Sequence, residues 1–217
     1  MNQQTNLDDQ TNIYDHYEGE YQAQKNAGIL ISIVNGFIRD SILDIGAADG
    51  SLLKALQKKG YHNVKGIDIV PKSAIIEKGN ITNIPFADNS FQTVFCTEVI
   101  EHLDSSQIET GLKEIQRVLK NDGQLIFTVP YKENRNVNAV VCPKCLHKFH
   151  RYGHLQFFDD KSILDILTEY DIVFLKVYAL GAMSVLPLGR YFNWLFKRLD
   201  YESIPKTLII VAKVRKQ

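Results

Sequence analysis

The sequence predicts an α/β protein with a doubly wound parallel sheet and helices on both faces. Apolar strand patterns alternate with helical patterns from Ser41 to Pro130, which is typical of parallel strands joined by crossover helices. The strand pattern at residues 42–45 leads through a Gly- and Ala-rich turn into a helical pattern at residues 51–59. Hydrophobic residues make up 45% of the 217 residues, which suits one domain with a sizeable core.

The first half of the chain supplies most of this pattern. Residues 1–11 are polar and rich in Gln and Asn, which predicts a flexible tail ahead of a single domain of residues 12–217. Residues 28–38 form an apolar helical run that is too short to cross a bilayer. Residues 69–79 number only eleven and include a proline, so a turn is expected there in place of a crossover helix. A later helical stretch is expected to reach Lys120 before a turn and a buried strand.

The second half carries two insertions. Residues 131–158 contain Pro and Gly and predict an irregular, Cys- and His-bearing insertion. A helix is expected at residues 159–170, with an acidic residue as its cap. Strand patterns at residues 172–179 and 207–213 flank an apolar insertion at about residues 181–203.

The charge and the cysteine content bound the function. Lys plus Arg and Asp plus Glu both number 25, so the net charge is zero, which argues against a polyanion partner such as bulk DNA or RNA. The first residues show no basic segment followed by an apolar run, so no signal peptide is predicted. Three cysteines are a poor disulfide framework for this length. A cytoplasmic location is therefore the simplest expectation.

The turn after the first strand predicts a ligand site. Residues 42–50 have the sequence Ile-Leu-Asp-Ile-Gly-Ala-Ala-Asp-Gly. Asp44 stands at the carboxyl end of the strand, where open α/β sheets place their ligand crevice. Gly46 and Gly50 lack Cβ atoms and permit close approach of the backbone. Asp68 ends the next strand pattern, at a position that suits a carboxylate accepting hydrogen bonds from a ribose diol.

This turn separates two classes of nucleotide cofactor. A dinucleotide site requires the pattern G-x-G-x-x-G, in which the helix N-terminus binds a pyrophosphate. The run from Gly46 departs from that pattern, and Asp49 would place a negative charge beside the pyrophosphate. An NAD-dependent enzyme is therefore disfavoured.

The turn resembles the acidic-x-Gly-x-Gly-x-Gly motif of class I S-adenosylmethionine-dependent methyltransferases, with Ala48 in place of the middle glycine. The resemblance covers roughly residues 14–213 and continues through the segments at residues 84–96, 97–103 and 121–130. The sequence of these segments is most similar to the small-molecule branch that includes ubiquinone-biosynthesis O-methyltransferases. It implies a seven-stranded sheet, mostly parallel with an antiparallel last strand.

The resemblance also implies which residues hold the cofactor. Asn80 stands where relatives often carry an Asp that contacts the adenine. The residues expected to bind S-adenosylmethionine are Asp44, Gly46, Ala48, Gly50, Asp68, Asn80, Ile81, Thr97 and Glu98.

Glu98, Glu101 and His102 follow the fourth strand pattern, on the crevice side of the sheet. In one interpretation, His102 or a carboxylate takes a proton from a substrate hydroxyl. In a second, the trio binds a divalent metal, because imidazole and carboxylates suit Zn, Mn or Fe, and some ubiquinone-type and RNA-end methyltransferases use a similar run. In a third, the run only positions the methionine part of the cofactor and caps a helix.

The insertion has the residue types of a zinc site. Cys142 and Cys145 form a C-x-x-C pair, and His150 and His154 would complete a tetrahedral set, with His147 as a substitute ligand. A redox pair and a coincidental cluster of free thiols are the alternatives. His154 has a second claim, because relatives without the cysteine pair often carry a His before a Phe-rich helix start. It is therefore also a candidate catalytic residue.

The apolar segment from Tyr178 to Phe196 ends in Trp194 beside basic residues. Gly and Pro interrupt it, so a membrane span is not expected. Three interpretations remain: a helix packed on the sheet, a lid or dimer contact, and a peripheral contact with a membrane surface.

The sequence thus predicts an S-adenosylmethionine-dependent methyltransferase that acts, at oxygen, on a small molecule, a lipid precursor or a glycan intermediate. The alternative is a non-catalytic zinc-bearing scaffold that retains the fold. The sequence names neither the acceptor nor the oligomeric state.

Overall fold

The computed structural model of the chain describes residues 11–12, 22–181 and 205–214. Within these ranges the strands are β1 (Ile42–Ile45), β2 (Val64–Asp68), β3 (Glu77–Lys78), β4 (Phe91–Thr97), β5 (Leu119–Pro130), β6 (Ala139–Val141), β7 (Lys148–His150), β8 (Ile172–Gly181) and β9 (Pro205–Val214). The helices are α1 (Gln22–Val34), α2 (Ser51–Lys58), α3 (Ser105–Val118) and α4 (Asp160–Glu169), with short 3-10 turns at Asn35–Phe37 and Ile100–His102.

Seven of these strands form one sheet in the order β3-β2-β1-β4-β5-β9-β8. The strands from β3 to β5 pair in parallel, whereas β9 is antiparallel to both β5 and β8. The doubly wound, mostly parallel sheet with an antiparallel last strand is therefore confirmed. The carboxyl ends of β1, β2, β4 and β5 lie along one edge, where ligands bind in such sheets.

Strand residues point alternately to the two faces of the sheet, and each face is covered by helices. Ile42, Phe95 and Ile126 pack with apolar residues of α1 and α2. Leu43, Val94 and Leu125 pack on the other face with residues of α3 and α4. All six of these strand residues are fully buried. The crevice is thus built on rigid strands with a core on both sides.

Two boundaries differ from the sequence pattern. Helix α3 ends at Val118 and not at Lys120, because Leu119 already pairs with Phe91 as the first residue of β5. The crossover between β2 and β3 contains no helix, as expected, and β3 pairs with β2 over two residues only. The helix predicted at residues 159–170 is α4, and the Asp159 side chain caps it by accepting the Ser162 N–H.

The insertion at residues 131–158 is more regular than expected. Its strands β6 and β7 form an antiparallel hairpin. The segment after the hairpin docks on the crevice, since the backbone N–H groups of Leu155 and Gln156 both donate to the Glu101 carbonyl oxygen, at 2.7 and 2.9 Å. This docking brings histidines of the insertion to the end of β4.

Two predicted features fall outside the described ranges. They are most of the tail at residues 1–11 and most of the apolar insertion at about residues 181–203, including Trp194 and Phe196. None of the described helices is long and apolar enough to cross a membrane.

Candidate active site

The β1–α2 turn has a backbone that favours glycine. Gly46 and Gly50 both have φ of +76°, and Ala48 has φ of +46°. A Cβ atom at position 46 would lie 2.5 Å from Val99 Cγ2, so only glycine fits there. Ala48 adopts the left-handed conformation that glycine would adopt more readily. The presence of alanine in place of the middle glycine of the motif therefore leaves the shape of the turn intact.

Asp68 fixes this turn to the end of β2. Its Oδ2 accepts the Ala48 N–H at 2.8 Å, and its Oδ1 accepts the Val70 N–H at 2.8 Å. Burial raises the pKa of Asp68, and these two backbone hydrogen bonds oppose the rise. Each oxygen can accept a second hydrogen bond, so the predicted contact with a ribose remains available beside this structural role.

Asp44 lies beneath the turn with one oxygen unused. Its side chain is 2% exposed, and its Oδ1 has no hydrogen-bond partner among the described residues. Burial raises its pKa well above the usual range, and the charges of Asp68 and Asp49 add to the rise. An acceptor buried in this way favours a ligand that brings a donor or a positive charge, and S-adenosylmethionine carries both. The residues of the turn therefore fit this cofactor.

The adenine side of the crevice is less open than the resemblance implies. Asn80 Oδ1 accepts the Thr82 N–H at 3.0 Å, and residue 80 forms an isolated bridge with Asn83. Ile81 is 5% exposed and packs in the core beside Gly111. Only the backbone of Ile81, together with the remaining polar capacity of Asn80, is left for a cofactor contact.

Glu98 follows the buried Thr97 at the end of β4 in a strained conformation. Its φ is +54°, which is unusual for a residue with a side chain. Thr128 of β5 holds it twice: the Glu98 N–H donates to the Thr128 carbonyl at 3.1 Å, and the Thr128 hydroxyl donates to Glu98 Oε1 at 2.8 Å. Burial raises the pKa of Glu98 to about 7, against the Thr128 hydrogen bond and with the help of the Glu133 charge.

Glu101 is the least satisfied group of the crevice. It is 1% exposed, and neither of its carboxylate oxygens has a hydrogen-bond partner in the described part of the chain. Burial raises its pKa well above the usual range, followed by the charge of Glu98. His102 Nε2 lies 3.9 Å from Glu101 Oε1, and burial, with the neighbouring His154, lowers the pKa of His102 to about 3. His102 is therefore neutral at physiological pH.

Two histidines of the insertion complete this cluster. The rings of His102 and His154 lie 4.8 Å apart, edge to face, and those of His150 and His154 stack at 4.4 Å. His154 Nδ1 lies 2.5 Å from Glu133 Oε2. The structure thus brings together the three predicted catalytic residues, Glu101, His102 and His154.

Sequence reasoning missed Glu133. This residue comes three positions after the end of β5, and the carboxyl ends of parallel strands are where ligand crevices lie. That position was the signal that could have identified it.

The predicted zinc ligands do not come together. Cys142 and Cys145 lie in the loop of the β6–β7 hairpin, where the Cys142 N–H donates to the His147 carbonyl at 2.9 Å. Among the described residues, the two groups that could hold a metal are Glu101, His102 and His154, and Glu133, His150 and His154. Neither contains a cysteine. The physical reason is that His150 and His154 turn towards Glu133, at 3.4 and 2.5 Å, and not towards the thiols.

The comparisons with known proteins agree with this architecture. A family model described as a methyltransferase domain matches residues 43–127. An uncharacterised protein of Methanocaldococcus jannaschii is 36% identical over 100 residues, 42% of this chain and 37% of that protein. Malonyl-[acyl-carrier protein] O-methyltransferase 1 of Coxiella burnetii is 29% identical over 138 residues, 59% of this chain and 45% of that protein.

A solved structure shows the same fold over most of the chain. It is the S-adenosylmethionine-dependent methyltransferase of Methanosarcina mazei, with a TM-score of 0.62 at 17% identity, covering 85% of this chain and 98% of that one. The chain spans between 23% and 45% of the length of the first curated relatives it matches. The matched methyltransferase-domain model covers residues 43–127 of the chain, and the likeness to the solved structure shows the fold.

Proposed function

We propose that the chain transfers the methyl group of S-adenosylmethionine to a hydroxyl oxygen of a small molecule, a class that includes lipid precursors and glycan intermediates. The observation that carries the proposal is the buried carboxylate of Glu101. Both of its oxygens lack partners in the described part of the chain, beside a neutral His102. A buried acceptor of this kind is costly unless a ligand supplies a donor, and an acceptor hydroxyl supplies one.

The crevice has a cofactor end and an acceptor end, which different residues form. The turn at residues 46–50, with Asp44 and Asp68, holds the cofactor, which when bound supplies an electrophilic methyl group on a sulfonium. Glu101, His102 and His154 surround the acceptor hydroxyl, and one member of this group takes up its proton. Holding the two reactants in line accounts for most of the acceleration, up to about 7–11 kcal/mol, and proton removal adds roughly 10²–10⁴-fold.

The carboxylates of this cluster suit proton removal near neutral pH. Glu98 and Glu101 interact with each other and titrate as a pair, and burial raises the pKa of both. A proton acceptor works best when its pKa lies near the operating pH. The Coxiella burnetii relative is named as an O-methyltransferase, which supports oxygen as the site of methylation.

The remaining expectations of the sequence stay proposals. We place the protein in the cytoplasm. Structural zinc at Cys142, Cys145, His150 and His154, with His147 as a substitute ligand, stays a prediction. The alternative of a non-catalytic scaffold rests on Ala48, on Asn80 and on the absence of a helix between β2 and β3. It is weakened by Ala48, which adopts the backbone conformation of the glycine that it replaces.

Calorimetry and a turnover screen test the proposal. Calorimetry with S-adenosylhomocysteine is expected to show saturable binding to one site. Release of S-adenosylhomocysteine from S-adenosylmethionine is then measured against a panel of phenols, sugars, hydroxylated lipids and carboxylic acids, with amines as a comparison. Turnover of a hydroxyl compound supports the proposal. Turnover of amines alone would refute the oxygen acceptor, and absence of cofactor binding would favour the scaffold.

A further inference from the structure

Glu133 faces two histidine rings with its two carboxylate oxygens. Its Oε2 lies 2.5 Å from His154 Nδ1, and its Oε1 lies 3.4 Å from His150 Nε2. Asn138 Nδ2 donates to the same Oε1 at 2.9 Å. The side chains of Glu133, His150 and His154 are only 16%, 5% and 10% exposed. The arrangement therefore lies out of reach of most of the solvent.

Hydrogen-bond donors and acceptors in this cluster favour one tautomer of a neutral His154. Burial works to raise the pKa of Glu133, but the hydrogen bond and charge of His154, with Asn138, outweigh it and the pKa lies below its ordinary value. Glu133 is thus an ionised acceptor, so the nitrogen that faces it at 2.5 Å must donate. A neutral His154 then carries its proton on Nδ1 and has its lone pair on Nε2.

His150 supports this assignment from the other side. Its Nδ1 accepts the backbone N–H of His154 at 3.2 Å, so the proton of a neutral His150 is on Nε2, the nitrogen that faces Glu133 Oε1. His150 Nε2 lies 3.4 Å from Glu133 Oε1 without a hydrogen bond to it, so the ring that Glu133 orients is that of His154. The insertion is fixed at this point by Glu133 and, through the carbonyl of Glu101, at the crevice.

His154 also lies beside the acceptor end of the crevice. One nitrogen of His154 lies within 4.8 Å of ligand atoms of both Glu101 and His102. His102 is a poor proton acceptor, because its pKa lies at about 3. Of the two imidazole rings beside Glu101, those of His102 and His154, it is that of His154 that hydrogen-bonds to the carboxylate of Glu133.

We propose that Glu133 is a positioning residue that fixes the tautomer of His154, and that His154 Nε2 takes the proton of the acceptor hydroxyl. The proposal rests on the proposed function and deepens it. In the step, the hydroxyl O–H bond breaks and its proton goes to Nε2. The oxygen forms a bond to the methyl carbon, and the S–C bond breaks with its electron pair going to sulfur. The products are the methylated acceptor, S-adenosylhomocysteine and a His154 imidazolium next to the Glu133 carboxylate.

A carboxylate assists a histidine base by fixing its tautomer and by stabilising the imidazolium ion that forms. Placing the proton on the wrong ring nitrogen costs as much as about 10⁴-fold in the best-studied hydrolases. Glu133→Gln keeps the size of the side chain and removes its charge. It is expected to lower kcat by about 10²-fold or more and to leave the KM for the acceptor within threefold, whereas Glu133→Asp restores part of the rate.

Nitrogen-15 NMR of the imidazole rings tests the positioning without any acceptor. In the wild-type protein His154 is expected to show a protonated Nδ1 and an unprotonated Nε2, and in Glu133→Gln a mixture of both tautomers. Glu169→Gln, on the exposed side of α4, is the matched control and should leave the His154 signals unchanged. A protonated Nε2 in the wild-type protein, or signals unchanged in Glu133→Gln, would overturn the proposal.

Turnover separates this proposal from the proposed function. With the hydroxyl compound that the screen yields, His154→Gln should lose at least as much kcat as Glu133→Gln, and binding of S-adenosylhomocysteine should stay within twofold of the wild type. Full kcat in His154→Gln would overturn the role of His154 and leave the methyltransferase activity standing. If no hydroxyl compound turns over, the proposed function fails, and the NMR result alone then decides whether Glu133 fixes the tautomer.

Discussion

The two ends of the crevice use their carboxylates in different ways. At the cofactor end, Asp68 accepts backbone hydrogen bonds from Ala48 and Val70 and thereby shapes the turn. At the acceptor end, Glu101 is buried, and neither of its carboxylate oxygens has a hydrogen-bond partner among the described residues. The Asp68 carboxylate stabilises the fold of the turn, whereas the Glu101 carboxylate is available to a ligand. The comparison teaches that the turn at the cofactor end is already shaped by backbone hydrogen bonds to Asp68, whereas Glu101 at the acceptor end leaves both carboxylate oxygens to a ligand.

Among the variants that test this comparison, Glu101→Gln should have the largest effect on the rate of methyl transfer. The substitution removes the carboxylate that positions the acceptor hydroxyl, so methyl transfer to that hydroxyl should fall by about 10²-fold, while the affinity for S-adenosylhomocysteine stays within twofold. The melting temperature at pH 8 should equal or exceed that of the wild type, because an ionised carboxylate without partners disfavours the folded state. Glu109→Gln, at the exposed ion pair with Lys113 on α3, is the control. A clear loss of stability would show that Glu101 is structural.

The same comparison shows what the sequence could predict. Gly46, Gly50 and Asp68 act through the backbone and through local turn geometry, so their roles follow from residue type and spacing. Glu133 and His154 lie 21 positions apart, and their contact depends on how the insertion folds back on the crevice. The expected Cys142 and Cys145 zinc set relied on local spacing alone, and tertiary contacts of the histidines with Glu133 compete with it.

Asp68→Ala is the second largest test. It removes the acceptor for a ribose and both ties to the turn, so the affinity for S-adenosylhomocysteine should fall by about 1.5–3 kcal/mol, or roughly 10- to 150-fold. The melting temperature should fall as well, because the N–H groups of Ala48 and Val70 lose their partner. Calorimetry and thermal unfolding measure the two effects, with the exposed Asp165→Ala on α4 as control. Wild-type affinity in Asp68→Ala would contradict the ribose assignment.

Gly46→Val cannot make this distinction. A side chain at position 46 meets Val99 before it meets any cofactor. Its effect on binding would therefore be mixed with a loss of stability.

The stability of the ligand-free protein should depend on pH through the acceptor end. The pKa of Glu98 is raised from 4.5 to about 7 in the folded state, so the folded state binds the proton more tightly than the unfolded one. The contribution is fully present below about pH 4.5 and is lost as the pH rises through 7. The free energy of unfolding should fall by an amount on the order of 1–3 kcal/mol across this window.

Glu98→Gln should flatten that pH dependence, because Gln does not titrate. Denaturant unfolding at pH 5 and pH 8 measures it, and Glu169→Gln should retain the wild-type slope. An unchanged slope in Glu98→Gln would place the titrating group elsewhere, and the other carboxylates of raised pKa, Asp44, Asp68 and Glu101, are the next variants to measure.

Ala48→Gly should have the smallest effect, and its sign sharpens the account of the cofactor end. Ala48 has φ of +46°, a conformation that costs an L-residue roughly 1–2 kcal/mol. Glycine removes this cost but loses about 0.4–1 kcal/mol to the larger freedom of its unfolded chain. The balance should be a stabilisation of about 0.5 kcal/mol. Ala55→Gly, within α2, should instead destabilise by about 1 kcal/mol. Equal losses in the two variants would show that residue 48 is not held in the left-handed region.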